Sequence, residues 1–134
     1  MAKLEVELIP ALSDNYIYLA HEPESGETAV VDPADAKSVL EAAKAKGWTI
    51  THILNTHHHG DHTAGNEEVK QATGAKIVGP SYDEARIPGL DVALSEGDTY
   101  SVGNATAEVF FTPGHTRGHI SFWFKDADVL FSGD

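Results

Sequence analysis

The chain has no cysteine, and that absence removes two classes of site. None of its 134 residues carries a thiol, so neither a thiolate zinc site nor a cysteine nucleophile is available. Basic residues are few: nine lysines and arginines stand against 21 acidic residues, which gives a formal charge of −12. Such a surface repels phosphate backbones. The sequence therefore disfavours a role in nucleic-acid processing.

Long apolar runs are also missing. No stretch approaches the roughly 20 residues that a membrane-spanning helix needs, so we expect no membrane partner. The opening MAKLEVELIP lacks a charged head followed by an apolar core, and we expect no secretory signal. Together with the absence of cysteine, this predicts a cytoplasmic protein. The length and the 41% hydrophobic content are typical of one globular domain.

Hydrophobic periodicity predicts strands, then alternating strands and helices, then strands again. Strands are expected at 3–9, 15–21, 28–32, 49–55 and 75–80, and later in the segments TYSV, ATAEVFFT, HISFWF and DVLFSG. One helical face runs over Asp35–Lys46, with Asp35 as N-cap and Gly47 as the C-terminal glycine. A second helix is expected at about His62–Ala72, ended by Gly74. This order predicts an α+β fold, a mixed sheet with helices on one face.

The stretch NTHHHGDHTAG is the first candidate metal site. His57 and His59 would point in nearly opposite directions on a helix but to the same side of an extended segment. Two imidazoles would then converge on one cation, and His58 would point elsewhere. Asp61 and His62 follow at a helix start, within reach of a second position. A solvated polar loop is the alternative, but chance rarely gives this spacing.

A second stretch, FFTPGHTRGHISFWF, supplies a further imidazole. His115 follows a Pro-Gly turn that restricts its backbone, and it is the natural third ligand beside His57 and His59. His119 is a weaker candidate at the start of the next strand. Asp134 follows an apolar strand and a glycine, where a carboxylate could bridge two metals. A frayed chain end is the alternative for Asp134.

These motifs together resemble a known family. THHHGDH, TPGHTRGH and LFSGD resemble the metallo-β-lactamase superfamily. IPALSDNYIYL, VVDPAD and ILNTHHHGDHTAGN look like glyoxalase II, the hydroxyacylglutathione hydrolases. The resemblance implies an αββα sandwich of which residues 1–134 supply about the first half, so the domain would be truncated at its C-terminus.

The resemblance also implies a ligand set. The implied roles are His57, His59 and His115 on one metal, Asp61 and His62 on the second, Asp134 as the bridge, and Asp32 as a support for the metal-binding loops. Asp32 is also consistent with ordinary turn chemistry before a proline. Imidazole and carboxylate ligands suit two divalent ions, zinc first, with iron or manganese as alternatives. Another histidine of the second metal site and the helical region that binds glutathione lie beyond this sequence in glyoxalase II.

The implied reaction is thioester hydrolysis, from S-lactoylglutathione to lactate and glutathione. Two bound divalent ions lower the pKa of a bridging water to about 7, and Asp61 would ligate a metal and orient the hydroxide. A leaving thiol with a pKa of about 8.5 departs without a general acid. A persulfide dioxygenase, a lactonase or other small-ester hydrolase, and an inactive metal-binding half-domain are the alternatives. An exposed apolar face in a half-fold would also favour a homodimer that completes it.

Overall fold

The computed structural model describes residues 4–11, 15–33, 35–56, 65–81, 87, 89–111, 120–125 and 129–131. Their strands are β1 (Glu5–Ala11), β2 (Asn15–His21), β3 (Glu27–Val31), β4 (Thr49–Leu54), β5 (Lys76–Pro80), β6 (Val92–Leu94), β7 (Thr99–Val102), β8 (Ala105–Phe111), β9 (Ile120–Phe124) and β10 (Val129–Phe131). Their helices are α1 (Ala36–Lys46) and α2 (Asn66–Thr73). Within this part of the chain, neither helix is long and apolar enough to cross a membrane.

The first sheet is mixed, as the sequence predicted. Its strand order is β1-β2-β3-β4-β5-β6. The β1–β2 and β2–β3 pairs are antiparallel, whereas β3 to β6 pair in parallel. Parallel neighbours end at the same edge of a sheet, so the residues that follow β3, β4 and β5 come together there. In open sheets of this kind, that edge is where ligands usually bind.

Helix α1 confirms the predicted capping signals. Asp35 is the N-cap, and its carboxylate accepts hydrogen bonds from the Lys37 N–H at 3.2 Å and the Ser38 hydroxyl at 2.7 Å. Gly47 ends the helix with φ 73°, a left-handed conformation that glycine adopts without steric cost. The helix connects β3 to its parallel neighbour β4, as a crossover must.

Helix α2 is described from Asn66, with Gly65 as its N-cap, and it is followed by Gly74 at φ 76°. The expected start at about His62 lies outside the described residues. The N–H of Gly65 donates to the Pro33 carbonyl at 2.7 Å, which anchors the N-terminal end of the described helix. The predicted end of the helix is confirmed.

Four strands form a second sheet that the periodicity alone did not separate from the first. Its order is β10-β9-β8-β7, and every pair is antiparallel. The expected meander is therefore confirmed, but it belongs to its own layer. The sequence analysis missed β6, which has only three residues, too few to show a period.

Two apolar clusters hold the layers together. One lies between the helices and the first sheet and includes Val39, Val69, Ile53 and Ile77. The other lies between the two sheets, with members Leu54, Val78, Val109, Ile120, Phe122 and Phe124. The described order of layers is therefore helices, mixed sheet, antiparallel sheet, in agreement with about half of an αββα sandwich.

Candidate metal centre

The six predicted metal ligands all lie outside the described residues. They are His57, His59, Asp61, His62, His115 and Asp134. His58 and His119 lie outside them too. Among the residues that the structure does describe, no group of three potential ligands lies close enough to hold a metal ion. The ligand set therefore stays a prediction, and the structure bears on it through the residues that flank these segments.

Asp32 fixes the residue immediately before His57. One oxygen of its carboxylate accepts the Thr56 N–H at 2.8 Å, and the other accepts the Thr56 hydroxyl at 2.7 Å. Both residues are buried. The Asp32 N–H in turn donates to the Leu54 carbonyl at 2.9 Å. Hydrogen bonds to an ionised acceptor are roughly twice as strong as neutral ones, so this pair firmly anchors the end of β4.

The backbone of Asp32 has an uncommon conformation. Its φ is 51°, and among the described residues no other non-glycine residue has a positive φ. Aspartate tolerates this region better than most residues, although it still costs energy. This turn directs the carboxylate from the end of β3 towards β4. The carboxylate of Asp32 thereby reaches Thr56, and its role as a support for the metal-binding loops stays a prediction.

The two histidine motifs are tied together at one point. The N–H of Ile120, the first residue of β9, donates to the Thr56 carbonyl at 2.8 Å. His57 directly follows Thr56 in the sequence, and the segment that contains His115 ends where β9 begins. The hydrogen bond therefore joins the start of one motif to the end of the other across two different sheets.

Strand β10 runs towards the same edge. It is antiparallel to β9, with Phe131 opposite Phe122, so its C-terminal end lies on the side where β9 begins. Asp134 follows that end in the sequence. The described strands thus lead all three predicted ligand segments towards a common edge of the sandwich.

The C-terminal end of the first histidine motif, at Gly65, is also anchored. Gly65 donates to Pro33, and a Cβ built on Gly65 would lie 2.5 Å from the Pro33 carbonyl oxygen and 3.0 Å from the Ala36 nitrogen. Only glycine fits this close approach. Asn55 and Asn66 face each other through paired side-chain amides. Sequence reasoning missed these residues, for which the only signal was their position beside the motif.

A second polar cluster lies near the opposite end of β3 and connects the sheets. The two ring nitrogens of His52 contact the Tyr100 hydroxyl at 2.7 Å and the Glu27 carboxylate at 2.8 Å. Burial, with the nearby carboxylates of Glu27 and Asp91, raises the pKa of Tyr100 to about 12. The tyrosine therefore stays protonated at neutral pH, and its hydroxyl keeps the hydrogen bond to His52.

Glu22 also connects the two sheets, from the turn between β2 and β3 to the turn between β7 and β8. Its buried carboxylate accepts the N–H groups of Asn104 at 2.9 Å, Glu24 at 2.7 Å and Ser25 at 3.1 Å. These bonds, that from Asn104 foremost, lower the pKa of Glu22 to about 2 against a desolvation effect of opposite sign. Glu22 precedes β3 and Asn104 lies between β7 and β8, so the contact joins the two sheets at the opposite end of β3 from Asp32.

Comparison with known proteins first defines the class. Residues 11–134 match the metallo-beta-lactamase superfamily, and the chain belongs to that superfamily. Membership implies divalent metal binding. A solved metallo-beta-lactamase from Staphylococcus aureus has a TM-score of 0.79 at 29% identity, over 97% of this chain and 43% of that one.

Two relatives then narrow the comparison within the superfamily. The chain is 57% identical over 131 residues to a hydroxyacylglutathione hydrolase of Methylococcus capsulatus, which covers 98% of this chain and 51% of the relative. It is 54% identical over 134 residues to the protein of that name from Rhodospirillum rubrum, over 100% of this chain and 52% of the relative. The chain thus spans about half the length of these relatives.

Proposed function

We propose that this chain carries the metal-binding half of a thioester hydrolase that acts on S-lactoylglutathione. The names and identities of the two bacterial relatives support this activity over a persulfide dioxygenase or a lactonase. The structural observation that supports it most is the hydrogen bond from Ile120 to Thr56, since it ties together the two segments that contain the histidines. The whole protein would be longer than residues 1–134, which then form a metallo-β-lactamase-like domain cut short at its C-terminus.

The donor set fits two divalent ions. In this proposal, His57, His59 and His115 hold one ion, Asp61 and His62 hold the other, and Asp134 bridges them. Three imidazoles with carboxylates are typical of zinc, and they also suit iron or manganese. No thiolate competes, because the chain has no cysteine.

The proposed chemistry needs little from the protein beyond positioning. When bound, two divalent ions would acidify the attacking water and polarise the thioester carbonyl. Asp61 would orient that water by accepting a hydrogen bond from it. Asp32 and Thr56 would hold the start of the histidine segment in place. The thiolate leaving group, with a pKa of about 8.5, needs no proton donor.

The absence of cysteine makes the test direct. Thiol released from S-lactoylglutathione can be followed with a thiol-reactive dye, because residues 1–134 contribute no thiol, and a substrate-free blank subtracts any thiol of an added segment. We would assay the zinc-loaded chain and a chimera that joins residues 1–134 to the remaining half of the Methylococcus relative. His57→Ala in the chimera is the control.

Each result has a separate meaning. Thiol release by the chimera, lost in His57→Ala, is expected. Release by the chain alone would show that the half suffices, whereas its absence there would agree with an inactive half-domain. An inactive, metal-loaded chimera would contradict the hydrolase proposal. Oxygen uptake with glutathione persulfide, or turnover of a lactone panel, would favour one of the rival activities instead.

Two edge strands give a reason to test for self-association. Leu8 on β1 is 48% exposed and Leu130 on β10 is 58% exposed. These strands lie at the ends of the two sheet orders, and exposed apolar edges favour pairing with another chain. We propose that a second copy covers them and completes the half-fold as a homodimer. Sedimentation should then give the dimer mass, and a monomer at high concentration would contradict it.

A further inference from the structure

We propose that the buried amide pair Asn55–Asn66 is a positioning clamp that sets the metal affinity of the segment between them. Asn55 lies two residues before His57, and Asn66 is the first residue of α2. The intervening residues 57–64 contain four of the predicted ligands. The inference rests on the proposed function, because it assumes that those residues bind metal.

The two side chains bond to each other in both directions. The Asn55 amide nitrogen donates to the Asn66 side-chain oxygen at 3.2 Å, and the Asn66 amide nitrogen donates to the Asn55 oxygen at 2.6 Å. Asn55 is 0% exposed and Asn66 3% exposed. A two-bond ring fixes both the separation and the relative rotation of its partners, which one bond or an apolar contact does not.

The backbone on each side of the pair is held as well. The Asn55 N–H donates to the Val78 carbonyl of β5 at 2.7 Å, and the Gly65 N–H, next to Asn66, donates to Pro33 at 2.7 Å. The amide pair therefore connects two fixed points, the end of β4 and the start of α2. Among the described residues, the amide pair links the two ends of the ligand segment directly through side chains.

This arrangement bears on affinity more than on packing. A metal that binds to a segment must overcome the conformational entropy of that segment. Fixed ends reduce that cost before the metal arrives, in the same way that preorganisation improves binding. Removing a group that hydrogen-bonds directly to a metal ligand typically weakens metal affinity by about 10–100-fold, and we take this range as the scale for the amide pair.

A double substitution separates positioning from stability. Asn55→Leu with Asn66→Leu keeps the side-chain size and leaves no polar group unpaired, which is often nearly neutral for stability. We expect a metal-free melting temperature close to that of the wild type and a zinc dissociation constant about 10–100-fold higher. Zinc affinity would be measured by chelator competition, and the Co²⁺ absorption spectrum would report any change in ligand geometry.

Two further variants keep the test decisive. Tyr100→Phe lowers stability through the loss of its contact with His52 and should leave zinc affinity unchanged, so it controls for an affinity loss caused by instability. Asn66→Asp keeps the hydrogen bond that Asn55 donates and loses the one that Asn66 donates at 2.6 Å. This single variant replaces the double variant in the test if the double variant does not fold. We expect it to weaken zinc binding several-fold, less than the double substitution does.

The outcomes distinguish this inference from the proposed function. A wild-type chain that binds no zinc would overturn both. Wild-type binding with unchanged affinity and Co²⁺ spectrum in the Asn variants would overturn the clamp alone. An affinity that falls in Tyr100→Phe as much as in the Asn variants would also overturn the clamp, because the effect would then follow stability.

Discussion

Asp32 holds Thr56 with both of its carboxylate oxygens, at 2.8 Å to the Thr56 nitrogen and 2.7 Å to its hydroxyl. Asp32 follows β3 and Thr56 follows β4, so this contact fixes the relative position of two parallel strand ends. Thr56 also accepts the Ile120 N–H from the second sheet. One buried residue thus links the first sheet, the second sheet and the start of the histidine segment.

The first prediction concerns this contact. Asp32→Ala leaves the Thr56 N–H buried without its acceptor, and a buried hydrogen bond to a charged group contributes about 1.5–3 kcal/mol. We expect a loss of about 3 kcal/mol of unfolding free energy and weaker zinc binding. Thr56→Val removes only the hydroxyl and should cost about 1 kcal/mol. Urea denaturation measures both, and equal losses in the two variants would contradict the proposed anchoring.

The second prediction concerns the close approach of Gly65 to Pro33. Gly65→Ala places a methyl group 2.5 Å from a backbone carbonyl oxygen that cannot rotate away. We expect a stability loss of about 1–3 kcal/mol from the forced backbone shift, together with reduced zinc affinity. Gly97→Ala is the matched control: its φ is 85° and its added Cβ meets nothing within 4 Å. That variant should lose about 1 kcal/mol without any change in zinc affinity.

The third prediction concerns acid stability. The folded-state pKa of Glu22 is lowered to about 2 from an ordinary value of 4.5. A lowered pKa means that the stabilisation is present above pH 4.5 and is lost as the pH falls towards 2. Glu22→Gln should be less stable than the wild type at neutral pH, and the two curves should converge in acid. Parallel curves between pH 4.5 and about pH 2 would contradict this account.

The fourth prediction concerns alkaline stability. The pKa of Tyr100 is raised from 10.0 to about 12, so its contribution is full below pH 10 and disappears as the pH rises through about 12. Tyr100→Phe removes the hydroxyl that is hydrogen-bonded to His52 and should cost about 1–2 kcal/mol at neutral pH. A tyrosinate absorbance titration of the folded protein checks the pKa. An ordinary midpoint for every tyrosine would contradict the raised pKa of Tyr100.

Local signals predicted the parts of the fold that depend on neighbouring residues. Asp35 and Gly47 marked the ends of α1, because capping requires only residues within one turn. The hydrogen bond from Gly65 to Pro33 beside the start of α2 could not be predicted in this way, since its partner is distant in sequence. The separation into two sheets depends in the same way on contacts between distant strands.

The same distinction between local and distant contacts applies to the candidate site. The histidine spacing could be recognised from the sequence, because metal ligands follow a few regular spacings, whereas Asp32 was indicated only by the resemblance to the superfamily. The amide pair of Asn55 and Asn66 could not, since two ordinary asparagines acquire a role only through their mutual contact. The ligands themselves lie outside the described residues, and their roles stay predictions.

The central claim is that the two histidine segments together hold metal. The most direct measurement is elemental analysis of the buffer-exchanged chain, beside His57→Ala and His115→Ala. The account predicts up to two divalent ions per wild-type chain and a marked loss of metal in both variants, although they come from different segments. A wild-type chain without tightly bound metal, or variants that keep the full amount, would contradict it.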